Sequence, residues 1–199
     1  MATRSDGHPA TPSAQRSAAA SPASDSPGGP SENPAGVAPL IEPDDLGRQA
    51  VRDLIAEHLA DMHATSPAES VHALDHAGLR AAGVSFWTSW DGGTLLGCAA
   101  LKQLSPTEGE IKAMRTRPAA RGRGVAAHLL AFLIEESRRR GYHRLNLETG
   151  SEDFFAPARR LYARHGFVFC PPFADYVPDP NSVFMTRSLS ASAPAPADC

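Results

Sequence analysis

Residues 110–130 read EIKAMRTRPAARGRGVAAHLL, and a change of pattern inside this stretch decides how the chain folds. From Glu110 to Arg117 the residues alternate, Ile111 and Ala113 with Lys112 between them, which is the two-residue period of a strand. Pro118 cannot donate to a ladder and ends it. From residue 122 to 140, Val125, Leu129, Leu130, Leu133 and Ile134 recur at helical spacing, and Gly141 closes the helix after Arg138, Arg139 and Arg140, which suit its negative end. Between strand and helix sits RGRG. The first N–H groups of a helix lack internal partners and lie at its positive end. Gly122 and Gly124 let an anion approach that backbone, and Arg121 and Arg123 add positive charge, so the junction reads as a phosphate site.

Working outward, VAPLI at 37–41 predicts a first strand (β1), followed by a helix capped at Asp44 or Asp45. Val51, Leu54, Ile55, Leu59 and Met62 line one face of that helix, with Arg52, Asp53 and Glu57 on the other, and Ser66-Pro67 breaks it. VSFWTSWD at 84–91 (β2) and TLLGCAALKQL at 94–104 (β3) flank Asp91-Gly92-Gly93, a hairpin signal. The strand at 110–117 is then β4, and RLNLET at 144–149 is β5. Pro157 opens a shorter helix through Arg164, ended by His165-Gly166, and FVF and SVFMTRSL supply two last strands. The order predicts an α+β domain over residues 39–189 around one mixed sheet. Residues 1–38 and 190–199 are rich in Ala, Ser and Pro, without apolar periodicity, and are expected to form disordered tails.

Composition bounds the function. The chain has 199 residues, 42% of them hydrophobic, which is enough for one core without a metal or disulfide staple. Three widely spaced cysteines, Cys98 within an apolar run, suggest reduced thiols in the cytoplasm. A net charge of -3 argues against nucleic acid as an obligatory partner, although six arginines between Arg121 and Arg144 make a local basic cluster. No segment is long and apolar enough for a membrane helix. The pairs His72/His76 and His58/His63 have helical or near-helical spacing, but no third ligand is visible, so no metal is expected. A dinucleotide reading competes: Gly122, Gly124 and Ala127 fit GxGxxA, with Glu148 as ribose ligand of an NAD-dependent oxidoreductase. Against it, a doubly buried parallel strand would be continuously apolar, whereas KAMRTR alternates with charge.

The stretch EIKAMRTRPAARGRGVAAHLL resembles the acetyl-CoA-binding motif of the GNAT superfamily, and ARRLYARHGFVF resembles its downstream companion. The resemblance implies a GNAT fold: a central mixed, mostly antiparallel sheet of about seven strands, splayed between β4 and β5 and flanked by about four helices. It implies an N-acetyltransferase with acetyl-CoA as co-substrate. The pyrophosphate would lie on Arg121, Gly122, Arg123, Gly124, Val125 and Ala126, and the pantetheine arm against Met114, Arg115 and Thr116. The Met114 N–H would stabilise the oxyanion, Tyr162 would protonate the departing thiolate, and Glu110 would serve as general base. One departure stands out: where the family often has asparagine before the Leu-Tyr pair, this chain has Phe155-Ala156-Pro157.

The acceptor would be a primary amine, expected to belong to a small molecule because the last loop, FADYVPDPNS, is short and acidic. Glu69, His72, Asp175 and Tyr176 are the residues expected to bind it. A GNAT-like module that holds acyl-CoA without turnover is the alternative from another class. A homodimer is the default assembly.

Overall fold

The computed structural model describes residues 38–189, so apart from Ala38 both expected tails lie outside the described residues. Seven strands form one sheet: β1 Leu40–Pro43, β2 Val84–Asp91, β3 Thr94–Ser105, β4 Glu108–Thr116, β5 Arg144–Gly150, β6 Val168–Phe169 and β7 Ser182–Ser188. Four helices accompany them: α1 Gln49–Thr65, α2 His76–Leu79, α3 Val125–Arg139 and α4 Ala156–Arg164. The strand order is β1-β2-β3-β4-β5-β7-β6, and every neighbouring pair is antiparallel except β4 with β5. A sheet with one parallel pair is not a doubly wound dinucleotide fold, which requires successive parallel strands.

Alternation along β2 and β3 sends side chains to two cores on opposite faces. Trp87, Leu96, Ala99 and Leu101 pack with Leu129, Leu130 and Leu133 of α3 and with Tyr162 of α4. Phe86, Leu95, Cys98 and Ala100 pack with Val51, Leu54 and Ile55 of α1. The Asp91-Gly92-Gly93 turn is as expected, with φ of 51° and 84° at its glycines, where a side chain would be strained.

Four local details differ from the sequence reading. Strand β1 begins at Leu40 rather than residue 37, and Asp44 and Asp45 do not cap α1. Their carboxylates accept the N–H groups of Leu46 (2.6 Å) and Gly47 (2.8 Å), and this turn, with Leu46 at φ 65°, delays the helix to Gln49. Helix α3 begins at Val125, because Pro118–Ala120 first makes a turn of 3-10 helix. Strand β4 does not alternate throughout: Ala113 has φ 47°, and Ala113 and Met114 together lie opposite Ala99, between the pairs Ala100–Lys112 and Cys98–Arg115. This bulge puts Ile111 in the α3 core and Ala113 in the α1 core, although they are two residues apart.

Candidate active site

Strands β4 and β5 pair only from Glu108–Arg144 to Ile111–Leu147. Beyond Ile111 they part at the bulge, and the backbone from Lys112 to Thr116 has no partner on the β5 side. The gap opens into a cavity of about 380 Å³, lined by Lys112 to Thr116, by Glu148 to Gly150 on β5, by His58 and Met62 on α1, and by Tyr162 on α4. Arg121 and Ala126 line it where α3 begins.

That end of the cavity presents helix N–H groups that have no partner within the helix. Gly124 stands before α3 at φ 79°, without a side-chain cap, and the helical ladder starts only with the His128 N–H on the Gly124 carbonyl at 3.0 Å. The N–H groups of Val125, Ala126 and Ala127 therefore precede the ladder. Arg121 is exposed beside them.

The expected cofactor residues divide accordingly. Met114, Arg115, Thr116, Arg121 and Ala126 line the cavity; Gly122, Arg123, Gly124 and Val125 do not. The Val125 side chain is packed in the core, which leaves only its N–H for a ligand, and Arg123 is paired at 2.8 Å with Asp91 of the β2–β3 hairpin. The Arg115 side chain turns to α1, where it pairs with Asp61, so only its backbone belongs to the open edge.

Tyr162 is buried, and its hydroxyl donates to the Met114 sulfur at 3.6 Å. Burial, helped by the Glu148 carboxylate, raises its pKa well above the usual 10, so the phenol keeps its proton. The placement of Glu110 corrects the reading of it as a strand-end residue. It is the third residue of β4, 1% exposed, and does not line the cavity. Its carboxylate accepts the Tyr176 hydroxyl at 2.7 Å and faces the Lys112 ammonium at 3.1 Å. Lys112 donates in turn to the Tyr176 oxygen (2.5 Å) and the His72 carbonyl (3.0 Å), which gives its ammonium three acceptors. The two loops that follow α1 and β6 are thus tied together over the cavity. Asn181 donating to Ser70 at 3.2 Å, and the edge-on rings of His72 and Tyr176 with centroids 5.0 Å apart, complete the tie.

Of the expected acceptor residues, His72 lines the cavity, Tyr176 is in the roof, and Asp175 is exposed and away from the cavity because the Phe173–Tyr176 turn points it outward. The side chain of Glu69, in the turn Ala68–Ser70, lies outside the described residues. The carboxylate that does face the cavity is Glu148, which sequence reasoning named only as the ribose ligand of the dinucleotide reading. It is held by the Ser182 hydroxyl at 2.9 Å, and burial raises its pKa above the usual 4.5, against the pull of Ser182 and Lys112. Its position near the end of β5, opposite the open edge of β4, was the available signal. His58, named in sequence only as half of a discounted metal pair, lies on the α1 wall. Among the described residues no group of three His, Cys, Asp or Glu could hold a metal, and no helix is long and apolar enough to cross a membrane.

An open strand leading to an uncapped helix N-terminus accommodates an extended chain that ends in phosphates, the layout of an acyl-CoA-dependent acyltransferase. Comparison with known proteins gives the family. Residues 49–167 match the family model described as Acetyltransferase (GNAT) family. The chain is 52% identical over 149 residues to the N-acetyltransferase YsnE of Bacillus subtilis, covering 75% of this chain and 99% of that protein. It is 46% identical to the N-acetyltransferase YedL of Escherichia coli, over 75% and 94% of the two chains. Among solved structures, an acyl-CoA N-acyltransferase from Klebsiella pneumoniae superposes with a TM-score of 0.63 at 29% identity, over 76% of this chain and 98% of that one. The chain belongs to the GNAT family and is an acetyltransferase.

Proposed function

We propose that this enzyme transfers an acetyl group from acetyl-CoA to the primary amine of a small molecule, by direct attack within one ternary complex. The observation that carries the reading is the single cavity in which the open edge of β4, Tyr162 and Glu148 meet beneath a tied roof. When bound, acetyl-CoA supplies the acetyl group already activated as a thioester. The backbone of Met114 to Thr116 holds the pantetheine arm as an added strand, the Met114 N–H orients the thioester carbonyl, and the first turn of α3 with Arg121 holds the pyrophosphate. Glu148 takes the proton from the attacking amine, and Tyr162 gives one to the departing sulfur. Glu110, expected in the first of these roles, instead anchors Lys112 and Tyr176. Among the described residues a covalent acetyl-cysteine has no support: Cys98 is fully buried with its thiol pushed up to about 12, and neither it nor Cys170 lines the cavity. The roof supports a small acceptor, because a protein segment would need an open groove across the loops that Lys112 joins.

The test is Glu148→Gln at saturating acetyl-CoA. The wild type is expected to lose turnover as pH falls through a value above 4.5, where Glu148 gains its proton. The variant is expected to lack that limb and to turn over about 100-fold more slowly. Unchanged turnover in the variant would return the base to Glu110, acting through Tyr176 and water.

A further inference from the structure

Glu148 and Ser182 stand on neighbouring strands whose register brings them together. In the antiparallel pairing of β5 with β7, Phe184 lies opposite Glu148 and Ser182 opposite Gly150, so Ser182 is the diagonal neighbour of Glu148 on the same face of the sheet. The Ser182 hydroxyl donates to one carboxylate oxygen, Oε1, at 2.9 Å. The other oxygen, Oε2, accepts no hydrogen bond from the described residues and is not sealed off by burial. Of the two residues only Glu148 lines the cavity, so Ser182 acts through it. The serine is itself anchored. Its N–H donates to the Asp179 carbonyl at 3.1 Å, and Asn181 before it accepts the Ser151 N–H at 2.9 Å and donates to Ser70 at 3.2 Å. The end of β5, the loop after α1 and the Glu148 carboxylate are therefore joined through two consecutive residues.

We propose that Ser182 is a positioning residue for the transfer: its hydroxyl fixes Oε1, so that Oε2 is the oxygen that takes the proton of the attacking amine. The inference rests on the reading of Glu148 as base and deepens it. As the amine nitrogen bonds to the acetyl carbon and the carbon–sulfur bond breaks, that proton passes from nitrogen to Oε2, and Tyr162 supplies the one that leaves on sulfur. A carboxylate free to rotate would present its oxygens in several orientations, whereas one held by a fixed donor meets the amine in one. The same hydrogen bond favours the ionised form, which is the form that can accept a proton. It works against burial, the largest influence on Glu148 and one that favours the neutral form. The other titratable groups that act on Glu148 are Lys112 and Glu110 of β4, His72, Tyr162 of α4 and Tyr176. Lys112 and His72 help to keep it ionised and Glu110 opposes them, but Ser182 alone among the described residues donates a hydrogen bond to its side chain.

The experiment follows the side-chain carboxyl carbon of Glu148 by NMR as pH is varied, in the full chain made with isotope-labelled glutamate, the resonance being assigned by its loss in Glu148→Gln. Beside it, thiol release from acetyl-CoA is measured against pH with glycine, ethanolamine and tyramine as probe amines. Ser182→Ala is expected to raise the midpoint of the Glu148 titration by about one pH unit, the worth of one hydrogen bond to a charged group. The acid limb of kcat should rise by the same amount with KM for acetyl-CoA unchanged, and Ser182→Thr should restore both. Ser182→Cys, a weaker donor of similar size, should move the midpoint part of the way, so the order of serine, cysteine and alanine carries the test even where alanine loosens the fold. A serine that only supports the end of β7 would, when replaced, lower the melting temperature and leave the midpoint in place, and that result would overturn the proposal. So would a midpoint that threonine fails to restore. The titration decides these points without any amine being turned over. A midpoint that moves while the acid limb stays would show instead that Glu148 is not the base, and would bring down the reading on which the proposal rests.

Discussion

His58 makes a stability prediction whose size follows from its surroundings. Burial, reinforced by the nearby Arg115 guanidinium and opposed by Asp61, lowers its pKa from 6.5 to about 4. A histidine that binds protons more weakly folded than unfolded contributes its full stability above the unfolded value and loses it as pH falls toward the folded one. At about 1.36 kcal/mol per decade, the loss from this single group reaches about 2 kcal/mol at pH 5 and about 3 kcal/mol at pH 4. Replacement by leucine removes the titration while keeping a side chain of similar volume. Urea unfolding of wild type and His58→Leu across this range isolates the term, since the carboxylates that titrate in both proteins cancel in the difference. The leucine protein is expected to gain on the wild type by those amounts as the solution is acidified. Parallel stability curves, agreeing within about 0.5 kcal/mol at every pH, would show that His58 is charged or solvated in the fold and would refute the reasoning.

Other consequences are as direct. Gly124→Val forces a branched residue into φ 79° and brings a side chain to the start of α3, so CoA affinity measured by calorimetry should fall about tenfold or more, with a modest loss of stability of about 1–2 kcal/mol. Unchanged affinity would remove the phosphate site from the RGRG turn. Tyr162→Phe should retain CoA binding and lower turnover about 100-fold, with no rescue at low pH, and full turnover would reduce Tyr162 to packing. Gly150→Ala would place a methyl group 2.2 Å from the Phe155 ring, so Phe155 must move from the cavity wall. The expected cost is about 1–3 kcal/mol in unfolding experiments, and a neutral result would mean that the turn yields freely.

The features legible in sequence were those that a local pattern dictates. The period of α3, the double glycine of the hairpin and the proline after β4 each fix backbone geometry without reference to distant residues, and with them the fold could be placed. Tyr162 came from the resemblance, carried by the motif around it. What could not be read depends on contacts between remote positions. Glu110 looks like a polar strand end until Tyr176, sixty-six residues later, closes over it. Lys112 looks solvated by alternation, and it is buried because the distant loops that carry His72 and Tyr176 close over it. Glu148 and His58 lie in ordinary amphipathic segments, and only the parting of two strands turns them toward a common space.

That parting has a mechanical consequence. Four residue pairs, Glu108–Ile111 with Arg144–Leu147, form the seam between a half-sheet of β1 to β4 and a half-sheet of β5 to β7. Past the seam the halves resemble the blades of shears, pivoted at one end and joined across the other by whatever chain lies in the gap and by the loops that Lys112 ties. A donor molecule laid along β4 would stiffen the protein as a splint does, so the slowing of amide exchange on filling the cavity should be concentrated at Lys112 to Thr116 and along the facing end of β5, and should fade toward the pivot.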